Sequence, residues 1–334
     1  MMKLSLFLLL SVVAFAATKP ASPSEYDLEE GYFWIPDEQG RLHLVNTNIV
    51  PTFFEPIDSN NITFALFTRT NIDNPVYFHP HELDVLIASG LFDTSRPTLF
   101  NTHGWTGDGY SVHLIEVKDT LLAKHDFNVI NIDWGGPAST FYTQAIQYIN
   151  PMGDMIGEFI NSLSDYYQYD HSQMGIMGHS LGGQLIGRVG YACQGRLAYI
   201  IALDPAYPAF STDILENKLD KSDAQYVQVI HANSGFLGYP DSIGHADFHP
   251  NGGVKQTGCG PDIIGTCSHF LIKDMIAESY VNTYLSWRCD SYADFLAGLC
   301  EDNETGYWGG WPVDTQSSGD YYLTTNGEPP FIIQ

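Results

Sequence analysis

A mostly parallel β-sheet covered on both faces by helices, an α/β architecture, is what this 334-residue sequence predicts. Three observations carry that expectation. From Thr98 onward, short apolar runs alternate with segments of helical periodicity. Within the run Phe127–Asp133, Val129, Ile130 and Ile132 read as buried on both faces, the pattern of a central parallel strand. Finally, Gly178-His179-Ser180-Leu181-Gly182 ends the apolar run Met174–Met177 and precedes a helical segment. One serine is thereby held at a sharp strand-to-helix turn.

The elements follow in order. Lys3 precedes the apolar run Leu4–Phe15, and Ala14-Phe15-Ala16 offers a small-x-small cleavage site. Residues 1–17 therefore read as a secretory signal peptide, too short and wrongly flanked for a membrane span. Residues 18–334 are expected to form a single domain, since no repeat, low-complexity tract or linker divides them. Residues 20–97 and 301–334 are expected to be β-rich or irregular additions. Thr98–Thr102 reads as a strand ending in His103-Gly104, and Tyr110–Lys124 as a helix. Asn150-Pro151 predicts a helix start, asparagine as cap and proline in the first turn. Its apolar stripe is Met155, Ile156, Phe159, Ile160 and Leu163. Strand Met174–His179, helix Leu181–Cys193 and strands Leu197–Leu203 and Tyr226–His231 complete the alternation.

Composition narrows the partners. The chain holds 39 acidic against 14 basic residues, a formal charge of −25. Phosphate binding needs basic stripes, and none is present, so nucleic acid is excluded. An anionic membrane would repel the surface. Such a charge makes a solvated, aggregation-resistant face; a lysine-poor surface also suits an alkaline digestive fluid, where it has little positive charge to lose. Five cysteines fit an oxidising compartment. Local pairing, Cys259 with Cys267 and Cys289 with Cys300, is the simplest assignment, and Cys193 is expected to be a buried free thiol. Asn61-Ile62-Thr63 and Asn303-Glu304-Thr305 are glycosylation sequons. A secreted protein with transient lipid-surface contact and no transmembrane segment is the expectation.

The serine motif predicts chemistry. Its two glycines let the helix pack tightly on the strand where a Cβ would not fit. In the α/β-hydrolase arrangement the partners of the serine follow as acid, then histidine, on loops after later strands. Asp204 directly follows the apolar run Tyr199–Leu203, at the sheet's carboxyl edge; its plainer role is a cap before Pro205. Of the later histidines, His231 ends an apolar strand and reads as a satisfied core residue. His245, Asp247 and His249 alternate like ligands, yet a third firm ligand and supporting shell are not apparent. His269 follows Cys267-Ser268 and opens the helical segment to Ser279, so it is the chosen base. Ser180, Asp204 and His269 are thus the expected catalytic residues. Backbone N–H groups of Leu181 and of Trp105, in the turn His103-Gly104-Trp105, are the expected oxyanion donors.

These strings together resemble the pancreatic lipase family, in its short insect-type branch, over nearly the whole mature chain. The carrying segments are Arg96–Trp105, Asn128–Gly136, Gly178–Gly183, Ala202–Ala206, Gly244–Gly253 and Cys267–His269. The resemblance implies the same triad and oxyanion pair. It also makes the Cys259–Cys267 segment the lid. Gly260–Thr266 holds seven residues, too few for a covering helix, which is similar to phospholipase A1 and galactolipase members. The implied activity is a secreted carboxylic ester hydrolase on glycerolipids without strong interfacial activation, with triacylglycerol lipase activity as a second capability. No C-terminal β-sandwich domain and no colipase partner are expected. No cofactor is required, although some members hold a structural calcium where Asp220 and Asp223 stand. The competing expectation is a non-catalytic lipid-binding or yolk-type storage protein, against which the intact Ser180, Asp204 and His269 argue.

Overall fold

The computed structural model describes residues 30–52, 54–210 and 218–333. The expected signal peptide lies outside them. Two strands, β1 (Tyr32–Pro36) and β2 (Leu42–Asn46), form a separate antiparallel hairpin. The chain then builds β3 (Thr63–Phe67), β4 (Val76–Phe78), α1 (Leu83–Ser89), β5 (Thr98–Thr102), α2 (Val112–Lys124) and β6 (Asn128–Asp133). Next come α3 (Gly135–Ala138), α4 (Tyr142–Tyr167), β7 (Met174–His179), α5 (Leu181–Ala192), β8 (Tyr199–Leu203) and β9 (Val227–Ile230). Beyond them lie β10 (Ala246–Pro250), α6 (Thr266–Ser279), β11 (Tyr284–Arg288), α7 (Tyr292–Leu296), β12 (Thr305–Trp308) and β13 (Gly319–Leu323).

Among the described residues, eleven strands form one sheet in the order β12-β11-β13-β10-β9-β8-β7-β5-β6-β3-β4. The seven from β13 to β6 run parallel, and antiparallel pairs close both edges. Successive side chains of a strand point to opposite faces, so a strand covered twice buries side chains on both. In β8, Ile200 and Ala202 enter the core under α4 and α5, whereas Ile201 and Leu203 enter the core under α2 and α6. Burying each of these isoleucine and leucine side chains stabilises the fold by about 1.5–3 kcal/mol.

Two expectations need correction. The helix expected to open at Asn150-Pro151 begins at Tyr142 and carries Pro151 inside it. Proline removes one N–H and crowds the preceding turn, but buried Ala145, Tyr148 and Ile149 extend the apolar stripe upstream of it. Packing of that longer face outweighs the local signal. The segments 20–97 and 301–334 are also more than additions. β3 and β4 form one edge of the main sheet, and β13 pairs in parallel with β10 near the other. Among the described residues, no helix is long and apolar enough to cross a membrane.

Candidate active site

The elbow is built from close backbone contacts. Ser180 joins β7 to α5 with φ +56° and ψ −121°, a conformation costing about 1–3 kcal/mol for a residue with a Cβ. Its N–H donates to Leu203 O at 3.0 Å, and its carbonyl accepts from Ala206 N–H at 3.0 Å. The glycines flanking it are sterically required. A Cβ on Gly178 would fall 2.5 Å from Gly182 O, and one on Gly182 would fall 2.3 Å from His103 O. The helix therefore sits against both its own strand and the turn after β5.

Asp204 leaves β8 as expected, with φ +43° and full burial. Its Oδ1 accepts Ala232 N–H at 2.8 Å and Asn233 N–H at 3.0 Å, and its Oδ2 lies 2.6 Å from His269 Nδ1. The other ring nitrogen, His269 Nε2, lies 2.8 Å from Ser180 Oγ. A carboxylate accepting these contacts fixes the proton of the ring on Nδ1 and leaves Nε2 free to accept from the serine hydroxyl.

His269 stands in the first turn of α6, and Asp262 caps that turn. Its carboxylate oxygens accept Cys267 N–H at 3.0 Å and Ser268 N–H at 2.7 Å. The Cys259–Cys267 disulfide closes the same loop, and Cys289–Cys300 is also formed. Residues 260–265 contain no helix, so the segment expected to be a short lid is a tight loop beside the site.

Three contacts that the sequence reading missed complete the surroundings. His179, buried inside the serine motif, meets the carbonyl of His269 through Nε2 at 2.8 Å. Burial first, then the neighbouring His269, Lys273 and His113, hold His179 well below the usual histidine range. It is therefore neutral, and its Nε2–H is the donor. The hairpin tip closes one side: Glu38 N–H donates to Thr106 Oγ1 at 2.7 Å, and Glu38 Oε1 pairs with Lys273 Nζ at 2.9 Å. Ile35, Pro36, Trp105, Tyr142, Leu237 and Phe270 line the cavity around Ser180 and His269 together with the polar side chains of Glu38 and His179. His179 carried a signal, since it ends β7 directly before Ser180. The hairpin carried none, because only tertiary contact brings it here.

Trp105 and Leu181 both border the serine. A Cβ on Gly104 would lie 3.0 Å from His179 O and 3.2 Å from Ser180 Cβ, which sets the Trp105 turn directly against the elbow. Leu181 opens α5, where first-turn N–H groups have no intrahelical partner.

The remaining expected residues fall elsewhere. His231 is a satisfied core histidine, its Nε2 2.9 Å from Asp247 Oδ1 and its Nδ1 3.2 Å from Tyr239 O. His249 pairs with Asp320 at 2.9 Å instead of joining Asp247 around a metal. Asp220 and Asp223 meet in one short turn, each accepting backbone N–H groups of that turn. A calcium shell takes six to eight oxygens, which these two carboxylates would share with nearby carbonyls, and residues 211–217, just before them, lie outside the described residues. Burial, helped by the charge of Asp220, pushes the Asp223 carboxyl up to about 8. Cys193 is a buried free thiol pushed up to about 12 by burial. Asn61 and Asn303 are exposed.

The doubly covered parallel sheet and its elbow serine define an α/β hydrolase. The family described as Lipase matches residues 43–331, and the chain belongs to that family. It is 32% identical over 304 residues to pancreatic triacylglycerol lipase of Cavia porcellus, covering 81% of this chain and 65% of that protein. Identity to the human pancreatic triacylglycerol lipase is 33% over 305 residues, covering 81% and 65%. For pancreatic lipase-related protein 2 of Bos taurus it is 33% over 270 residues, covering 74% and 57%. The chain thus spans 57–65% of the length of these curated relatives.

Proposed function

We propose that this protein is a secreted serine hydrolase of glycerolipid esters, of the phospholipase A1 or galactolipase kind, with triacylglycerol hydrolysis as a secondary capability. The observation that carries the proposal is the placement of His269 between Asp204 at 2.6 Å and Ser180 at 2.8 Å. The names of the triacylglycerol lipase relatives support an ester of glycerol as substrate. The short loop 260–265 supports an open site suited to polar head groups. Two disulfides and the exposed sequon asparagines support an extracellular setting.

In this reading Ser180 Oγ attacks the ester carbonyl carbon while His269 Nε2 takes the hydroxyl proton. Asp204 holds the ring in the required tautomer and stabilises the imidazolium. The carbonyl oxygen gathers negative charge and accepts the N–H groups of Trp105 and Leu181, where each donor contributes about 2.7–4 kcal/mol to the barrier reduction. The tetrahedral intermediate collapses, the bond to the glycerol oxygen breaks, and His269 returns its proton to that oxygen. Water then repeats the sequence on the acyl-serine, releasing the fatty acid and restoring Ser180. His179, by donating to His269 O, steadies the backbone of the base without competing for the proton.

A substrate panel tests this reading, with wild type beside Ser180→Ala. Phosphatidylcholine, monogalactosyl diglyceride, emulsified long-chain triglyceride and a soluble short-chain ester are compared, with and without colipase. The expected result is hydrolysis of the polar lipids at rates equal to or above triglyceride, no colipase effect, and loss of all rates in Ser180→Ala. A marked triglyceride preference would overturn the head-group assignment. Absence of hydrolysis on every substrate would favour a lipid-carrier role.

A further inference from the structure

We infer that the outward face of the β1–β2 hairpin is the surface by which this protein docks on an electrically neutral lipid–water interface. In the hairpin register, Trp34 lies opposite Leu44 and Pro36 opposite Leu42. Alternation places these four side chains on one face, away from Phe33, Ile35 and Val45. The inner three pack against the main core. Trp34, Leu42 and Leu44 are 38%, 42% and 49% exposed, in positions where a solvated hairpin would carry polar side chains.

Three features fix the occupant. The strip runs into the catalytic cavity, because Pro36 at its end is buried and lines the same cavity as Ser180. Phe141, 84% exposed, is a second exposed apolar side chain, directly before the cavity residue Tyr142. The strip is also free of carboxylates in a chain that carries 39 acidic residues. A surface so depleted of charge on a molecule of net charge −25 suits neutral lipid, and the molecule's overall field repels an anionic one. An exposed tryptophan beside leucines suits the interfacial layer, where an amphipathic ring has one apolar and one wet side. The hairpin presents this face rigidly, since the Glu38 contacts to Thr106 and Lys273 tie its tip to the site. Docking there would bring the cavity mouth against the lipid without a covering helix.

The inference rests on the glycerolipid reading above, and its test separates the two. Ser180→Ala protein, which binds without turnover, is floated with dioleoylphosphatidylcholine vesicles and with dioleoylphosphatidylglycerol vesicles. The docking surface predicts binding to the first, weaker binding to the second, and at least a tenfold lower partition coefficient on adding Trp34→Ser and Leu44→Ser. Trp34→Phe with Leu44→Ile is expected to restore binding, which excludes misfolding as the cause. Leu296→Ser with Leu299→Ser, removing exposed apolar side chains outside the hairpin, serves as the comparison. In the active protein the ratio of vesicle rate to soluble-ester rate should fall tenfold with the hairpin pair. Equal losses from the two serine pairs, or no loss from the hairpin pair, would overturn the inference. So would a dimer that the hairpin pair converts to monomer while vesicle binding persists, since the face would then belong to a second copy. Hairpin-dependent binding by a protein that cleaves no lipid would sink the functional reading and leave the docking surface standing.

Discussion

A methyl group on Gly182 would lie 2.3 Å from the carbonyl oxygen of His103, so the elbow and the turn carrying Trp105 touch backbone to backbone. Neither side of that contact has a flexible end to yield. Gly182→Ala is therefore expected to push the two proposed oxyanion donors apart and lower kcat on a soluble ester by about a hundredfold or more. Gly136→Ala is the comparison, since nothing lies within 4 Å of its added methyl. Steady-state kinetics and thermal melts of both variants check the expectation; equal activities would mean the turns can separate without cost.

Gln256 links the acid's turn to the base's helix. Its side-chain Nε2–H donates to Ala232 O at 3.0 Å and Pro250 O at 2.9 Å, while its backbone N–H donates to Ser268 Oγ at 2.9 Å. Ala232 in turn donates to Asp204, and Ser268 precedes His269. Gln256→Met removes the amide at similar volume. The expected outcome is a roughly tenfold loss of kcat, about 1.4 kcal/mol, with KM little changed. The low-field proton resonance of His269 Nδ1–H should move as the contact to Asp204 loosens. A variant that is only less stable, with that resonance in place, would show Gln256 to be plain structural support.

Asp223 sets a pH dependence of stability. Its carboxyl is raised from 3.8 to about 8 in the folded protein, burial being the main cause. The folded state therefore holds a proton that the unfolded chain has released between those values. Stability falls as pH rises across that interval and levels off above it. Asp223→Asn keeps an oxygen to accept the N–H of Asp220 and removes the charge. Denaturant titrations from pH 4 to pH 9 are expected to show a flatter profile for the variant. Chelator and millimolar calcium are expected to leave the wild-type midpoint in place at pH 8; a calcium-dependent rise would identify a cation at this turn.

The Cys259–Cys267 bridge closes a loop of eight residue steps, which in the chain-entropy account stabilises the fold by about 2–3 kcal/mol. Replacing both cysteines by serine should lower the unfolding free energy by that amount. Activity at room temperature should persist, because Asp262 still caps the turn that holds His269. Inactivity of the folded variant would assign the bridge a direct part in placing the base.

Much of the site was legible because its signals are local. Ser180 sits in a glycine-flanked turn, Asp204 ends an apolar strand, and His269 follows a cysteine at a helix start; each reads from a few neighbouring residues. Pro151 misled for the same reason. A local helix-start signal was outweighed by packing that only the folded sheet reveals. The hairpin was invisible as part of the site, since Ile35, Pro36 and Glu38 reach Ser180 through contacts far away in sequence. β13 was hidden likewise: Gly319–Leu323 has little periodicity of its own, and its pairing with β10 makes it a strand.

The most direct test of the central claim is labelling with a long-chain alkyl fluorophosphonate, followed by peptide mass spectrometry. One adduct is expected, on Ser180, with ester hydrolysis lost in proportion to labelling and no adduct in His269→Ala. Full hydrolytic activity with Ser180 unlabelled, or an adduct on a different serine, would contradict it.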